Sequence, residues 1–190
     1  DSNVSYAGTG GTGLGLISGR GDGVFGSDVR IDCAPVATER EALTIGANVS
    51  LAGASDTINV SSASGVTING IVGGANGFSK TGTGTLTLGG ANTYTGATLV
   101  AGGILEINST AGTTALGSPA QGTVVNSGAA LRLLANAGTG TEPITLTGNG
   151  VGGTGGALIG EPGVSTVGGP VTLGGAAGSS TTVTAGAGAT

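Results

Sequence analysis

Apolar residues recur in this chain as three-residue alternations set between glycine-rich turns, and that rhythm restricts the fold more than anything else in it. Leu43-Thr44-Ile45, Ile58-Asn59-Val60, Val66-Thr67-Ile68, Leu86-Thr87-Leu88, Leu105-Glu106-Ile107, Leu131-Arg132-Leu133, Ile144-Thr145-Leu146 and Val171-Thr172-Leu173 all follow it. Thr98-Leu99-Val100 and Thr182-Val183-Thr184 are related short segments. A period of two places the outer pair on one face of a strand and Thr, Asn, Glu or Arg on the other. Turns such as Gly73-Gly74-Ala75-Asn76 and Gly89-Gly90-Ala91-Asn92 supply residues that accept the positive φ of sharp corners. Starts of successive triplets lie 8 to 27 residues apart, so the wide gaps are expected to conceal weaker strands.

Short strands and Gly-rich turns suit a sandwich, a closed barrel or a solenoid. The inward residues decide among them. A sandwich core about 10 Å thick is normally filled by aromatics on strands of about five residues or more. Here Tyr6, Phe25, Phe78 and Tyr94 are the only aromatics in 190 residues. A solenoid asks for one or two aliphatics per strand, each covered by the next coil about 4.8 Å away. Burial of each is worth roughly 1.5–3 kcal/mol. The expected fold is therefore all-β, a parallel β-helix taken as right-handed. At about 20 residues per coil, residues 42–190 would form roughly seven coils and a rod some 35 Å long. The 44 glycines and 5 prolines do not imply disorder, because only 8% of residues are charged and mean hydropathy is +0.35.

Charge marks a boundary. Nine of the fifteen charged residues lie in 1–41, which also holds most of the one segment with a helical look, Pro35 to Leu43, so 1–41 reads as an N-terminal cap and 42–190 as the solenoid. The remaining charges are Asp56, Lys80, Glu106, Arg132, Glu142 and Glu161. With a net charge of −5 and basic residues scattered singly, nucleic acid and anionic membrane surfaces are poor partners. No apolar run of about 18 residues is present, so this segment is not expected to insert into a bilayer as a helix. Histidine is absent and Cys33 is the sole cysteine, which excludes an internal disulfide and a Cys/His metal site; Cys33 reads as a small buried residue. No cofactor or metal is expected.

Residues 77–107 read GFSKTGTGTLTLGGANTYTGATLVAGGILEI. This resembles the passenger-associated transport repeat of bacterial autotransporters, through Gly77, Lys80, Gly82, Gly84 to Leu88, Gly90, Asn92 to Gly96, Thr98, Val100, Gly103, Leu105 and Ile107; Ile104 stands where Thr is usual. More loosely, 115–133 and 155–175 are similar to the linking coils of such proteins. The resemblance implies a secreted β-helical passenger displayed on a bacterial cell surface, with the repeat as a scaffold element that carries no catalytic residues. From the residues themselves, Leu86, Leu88, Leu99 or Val100, Leu105 and Ile107 would face inward. Thr85, Thr87, Thr95 and Thr98 would form outward hydroxyl rows. Asn92 and Gly96 belong to the turn, where the Asn92 amide would bond nearby backbone. Tyr94 would cover a corner of the rod, and Lys80 would be a solvated charge at a strand edge.

Candidate chemistry is sparse. Arg20-Gly21-Asp22 is a cell-attachment triplet in form, set in a Gly-rich stretch where it also reads as a solvated turn. The acidic residues do not recur as calcium solenoids require. Glycoside cleavage needs two opposed carboxylates, and here coiling alone could pair them. Gly10 to Gly13 lacks the lysine and helix of a phosphate loop. The function expected is thus a structural, non-catalytic extracellular scaffold or adhesin, with a host surface or extracellular matrix as partner. An alternative is a filament subunit that self-associates end to end by strand addition, since 176–190 keeps the solenoid composition with no cap. A polysaccharide-acting enzyme is the remaining alternative.

Overall fold

In the computed structural model the described residues are 23–25, 42–54, 56–61, 65–109, 114–175 and 180–186. The strands are β1 (Gly23–Phe25), β2 (Leu43–Ile45), β3 (Val49–Leu51), β4 (Asp56–Asn59), β5 (Val66–Ile68), β6 (Val72–Gly74), β7 (Phe78–Thr81), β8 (Thr85–Leu88), β9 (Thr98–Val100) and β10 (Gly103–Ile107). They continue with β11 (Thr123–Val125), β12 (Ala129–Leu133), β13 (Ile144–Thr147), β14 (Leu158–Gly160), β15 (Val171–Gly174) and β16 (Val183–Ala185). Every pairing among them is parallel. One sheet runs β2-β5-β8-β10-β12-β14-β16, a second β4-β7-β9-β11-β13-β15, and a third β1-β3-β6. The chain visits them in rotation, so the fold is a β-solenoid. The one helical feature among the described residues is a 3-10 turn at Val151–Gly153. No helix there is long and apolar enough to cross a membrane.

Register shows how the core is built. On the first sheet Leu43, Val66, Leu86, Leu105, Leu131, Leu158 and Val183 stack in one column. Their steps are 23, 20, 19, 26, 27 and 25 residues, so the coil is longer than the expected 20 outside its regular centre. The result is six turns along this sheet, about 29 Å of rod. Beside this column runs Ile45, Ile68, Leu88, Ile107 and Leu133. From Val66 to Leu133 the members of both columns are buried, each aliphatic covered above and below. The wide sequence gaps do hide strands: β3, β11 and β14 fill the intervals after Ile45, Ile107 and Leu146.

The third sheet loses strand geometry after β6, yet its hydrogen bonding persists. Thr93 N–H donates to Val72 O (2.8 Å), Thr95 N–H to Gly74 O (3.0 Å) and Ser118 N–H to Tyr94 O (2.8 Å). Of residues 1–41 only Gly23–Phe25 is described, and its backbone pairs in parallel with β3. Cys33, the triplet Arg20-Gly21-Asp22 and most of Pro35 to Leu43 lie outside the described residues.

Candidate functional site

The densest polar chemistry in the rod sits inside it, where residues 78–107 meet the coils on either side. Leu86, Leu88, Val100, Leu105 and Ile107 are fully buried on β8, β9 and β10 and form the apolar floor of this region. Three polar side chains are set into that floor.

Lys80 is the first, and it corrects the expectation of a solvated charge. On β7 it shares parity with Phe78, and register places it in an inward column between Ile58 and Val100. It is completely buried. Its Nζ donates to the carbonyls of Thr81, Gly82 and Gly102, each at 2.9 Å, so all three ammonium donors are satisfied by backbone. Two of those carbonyls lie at the end of β7 and in the turn that follows it, and the third in the turn one coil on, so one ammonium ties two corners together. Gly103 has φ +64, and a Cβ there would lie 2.7 Å from Lys80 Nζ, so glycine is needed for the cradle to close. Burial lowers the Lys80 pKa from 10.5 to about 8.

Asn92 is the second. It is 1% exposed, and its Oδ1 accepts from the Val72 N–H of the preceding coil (2.8 Å) while Nδ2 donates to Ala115 O of the following one (2.6 Å). Thr114 Oγ1 donates to the Asn92 carbonyl (2.7 Å). A single side chain therefore bonds backbone in the coil before its own and in the coil after it. Gly96 is half-buried where the turn stacks on Asn76 and Gly77 of the coil before, too close for any Cβ.

Tyr94 is the third, and it is wholly buried rather than laid across a corner. Its ring meets Phe78 edge-on with centroids 5.5 Å apart. Its Oη is 2.6 Å from Thr98 Oγ1. Burial, aided by the field of Glu142 against the opposing Thr98 bond, holds the phenol well above its ordinary pKa. Thr98 thus faces inward, not outward, sharing parity with Val100. Thr87 and Thr95 behave as surface hydroxyls: Thr87 donates to Glu106 Oε1 (2.9 Å) and Thr95 to Ala75 O (3.0 Å).

Coiling does bring carboxylates together. Glu106 and Glu161 both approach Arg132, at 3.2 and 3.8 Å, in a row on the outward face of the first sheet. An arginine stands between them on a flat sheet, which is an ion-pair network and not an opposed acid and base across a cleft. Asp56 is buried, with Oδ2 accepting from Gly53 N–H (3.2 Å). Glu142 is 2% exposed and accepts from Thr123 Oγ1 (2.8 Å); burial raises its pKa above the usual carboxylate value. Among the described residues no three acidic, His or Cys side chains gather as metal ligands.

Residues 78–107 match the passenger-associated-transport-repeat family. Over 116 residues, 61% of the chain, the sequence is 40% identical to the adhesin BmaC autotransporter of Brucella suis biovar 1 (strain 1330), and the aligned part spans 3% of that protein's length. No solved structure matches.

Proposed function

We propose that this chain, which carries an autotransporter passenger-type repeat, is a non-catalytic stretch of β-helical stalk within a secreted passenger of the adhesin kind, displayed at a bacterial surface. The observation that carries this reading is the direction of the repeat's polar side chains. Lys80, Asn92 and Tyr94 are all directed inward to backbone or side chains of this same rod, leaving none of them to a substrate or ligand. A residue set that ties coils together is the chemistry of a scaffold. The relative named as an adhesin supports surface display. In the charged row Glu106–Arg132–Glu161 both carboxylates are engaged by one arginine, which favours a structural over a hydrolytic role.

The test is to place the chain between a secretion signal and an outer-membrane barrel and follow it on intact cells. Surface labelling together with a protease-resistant fragment spanning 66–160 is the expected result. Retention inside the cell, or turnover of any member of a polysaccharide panel, would overturn the reading. Binding of such cells to extracellular matrix, compared with an Asp22→Ala version, separates a stalk that presents a binding triplet from a passive one.

A further inference from the structure

Beside the enclosed Lys80, Asn92 and Asp56, the interior of the rod holds a polar column that leaves the repeat and climbs toward the C-terminal coils. Tyr94 Oη bonds Thr98 Oγ1 at 2.6 Å. Thr98 is stacked on Thr123 by the β9–β11 register, and Thr123 Oγ1 donates to Glu142 Oε1 at 2.8 Å. Thr98, Thr123 and Glu142 are each at most 2% exposed. The second carboxyl oxygen, Glu142 Oε2, is buried with no hydrogen-bond partner, and so is Thr139 Oγ1 at the start of the same turn. Glu142 N–H donates to Thr139 O, which fixes that turn immediately before β13.

An ionised carboxylate in this place is poorly served. It would offer two acceptor oxygens to one hydroxyl donor, with the rest of its charge in a low-dielectric interior. The cations of the described chain are engaged elsewhere: Lys80 Nζ on three carbonyls, Arg132 on the outer face with Glu106 and Glu161. From β9, β11 and the 91–95 segment the groups that face Glu142 are Thr98, Thr123 and Tyr94. Of these only the phenol titrates, and it stays protonated. From the following coil, Gly169 lies against the Glu142 carbonyl and brings no charge. A proton on Glu142 removes the buried charge and converts one oxygen into a donor.

We propose that this column is a proton-operated latch: the coil holding Glu142 seats fully on the coil holding Thr123 when Glu142 is protonated, so the C-terminal half of the rod is held more tightly in mildly acidic surroundings than at neutral or alkaline pH. The idea is independent of whether the chain is a surface stalk. The direction of the Glu142 shift agrees with it: a carboxyl whose folded pKa is raised contributes stability that is present in acid and lost as pH rises through that value.

The experiment is amide hydrogen exchange of residues 123–147 from pH 8 to pH 5, corrected for intrinsic exchange, on the full chain and on Glu142→Gln. In the native sequence the opening equilibrium should fall on acidification, by at most about tenfold per pH unit for one linked proton. Glu142→Gln, which is neutral and can donate, should show no such slope and should match the acid form at every pH. Parallel slopes in the two proteins, or weaker protection of Glu142→Gln at pH 8, would overturn the proposal. Should the variant fail to fold, carbon-13 detection of the glutamate carboxyls in the unaltered protein decides. A Glu142 midpoint above the ordinary carboxylate range supports the latch, and one at or below that range sinks it.

Discussion

The coils formed by residues 66–107 and those formed by 129–186 share one backbone plan and are held by different means. In the first region, side chains reach across coils to bond backbone: Lys80 to two corners, Asn92 to both neighbours. Its aliphatic columns are covered on both sides. In the second region the β-ladders continue, but among the described residues the long-range side-chain bonds are fewer and the last described coil is uncovered on one side. The inward positions Val171, Leu173 and Val183 are 41%, 60% and 55% exposed, because no further described coil lies over them. Asn149 and its partners Ser180 and Thr182 link coils there through hydroxyls at the surface. A parallel ladder alone can therefore propagate the rod, while register is pinned where polar groups are enclosed. A solenoid's stability is close to a sum over coils and their interfaces, so the two regions should respond very differently to matched substitutions.

The sharpest contrast is apolar. Leu105 lies in register between Leu86 and Leu131, and all three are fully buried. Leu105→Ala opens a cavity with no mobile neighbour to fill it and should cost about 3 kcal/mol. Among the described residues Leu173 is covered by a coil on one side only, at Leu146, so Leu173→Ala should cost less than about 0.5 kcal/mol. Urea unfolding of the two variants reads the difference directly. Equal losses would mean that the terminal coil is covered in solution, which would break the comparison and revive end-to-end association.

Lys80 provides the next effect in size, with a pH signature of its own. Lys80→Gln removes the cation and leaves buried carbonyls short of donors, an expected loss of about 2–3 kcal/mol at pH 7. The linkage sign is opposite to that of a surface lysine. Well below pH 8 both states hold the Lys80 proton and Lys80 adds no slope. Between about 8 and 10.5 the folded chain has released a proton that the unfolded chain still binds, so stability rises with pH. Above 10 the raised Tyr94 pKa works the other way, as the unfolded tyrosine ionises first. Lys80 is the only lysine in the chain, so no other lysine contributes to this window. A rise in unfolding free energy from pH 8 to 10 that disappears in Lys80→Gln is expected. The same rise in both proteins would show that the cradle does not set it.

How much of this was legible follows from what each feature depends on. Strands β2, β5, β8, β10, β12 and β13 were readable because alternating aliphatics state their own inward face. β6 and β14, written Val-Gly-Gly and Leu-Ile-Gly, were not, since their pairing comes from the coils beneath them. Thr98 was misplaced even though its parity with Val100 was visible: a hydroxyl next to apolar neighbours was read as an outer row. Lys80 was misjudged for a better reason, because a lysine is rarely buried and the carbonyls that make burial tolerable lie up to 22 residues away in sequence. The usable signal was its parity with Phe78, the aromatic two residues before it, which is buried on the same strand. Glu142, isolated before Pro143, carried no pattern at all; only the Thr123 hydroxyl of the coil beneath shows where its carboxyl is held. Local periodicity thus gives the ladder, and enclosed polar groups emerge only from register.

The smallest contrast concerns the two asparagines and is also the most local. Asn92→Ala removes bonds to the Val72 N–H and the Ala115 carbonyl, both inside the rod, and should cost about 1–2 kcal/mol. Asn149→Ala removes bonds at the surface, where water replaces them, and should stay within about 0.5 kcal/mol. Hydrogen exchange adds a control within the first variant. The Val72 amide donates to Asn92 Oδ1, whereas its neighbour Ile71 donates to Asn48 Oδ1 at 2.8 Å. Asn92→Ala should therefore speed exchange at Val72 while Ile71, still held by Asn48, keeps its rate. If both amides accelerate together, the coil opens as a unit and Asn92 contributes to overall stability without pinning register; if neither does, the ladder alone holds this edge and the distinction between the two regions fails at its most specific point.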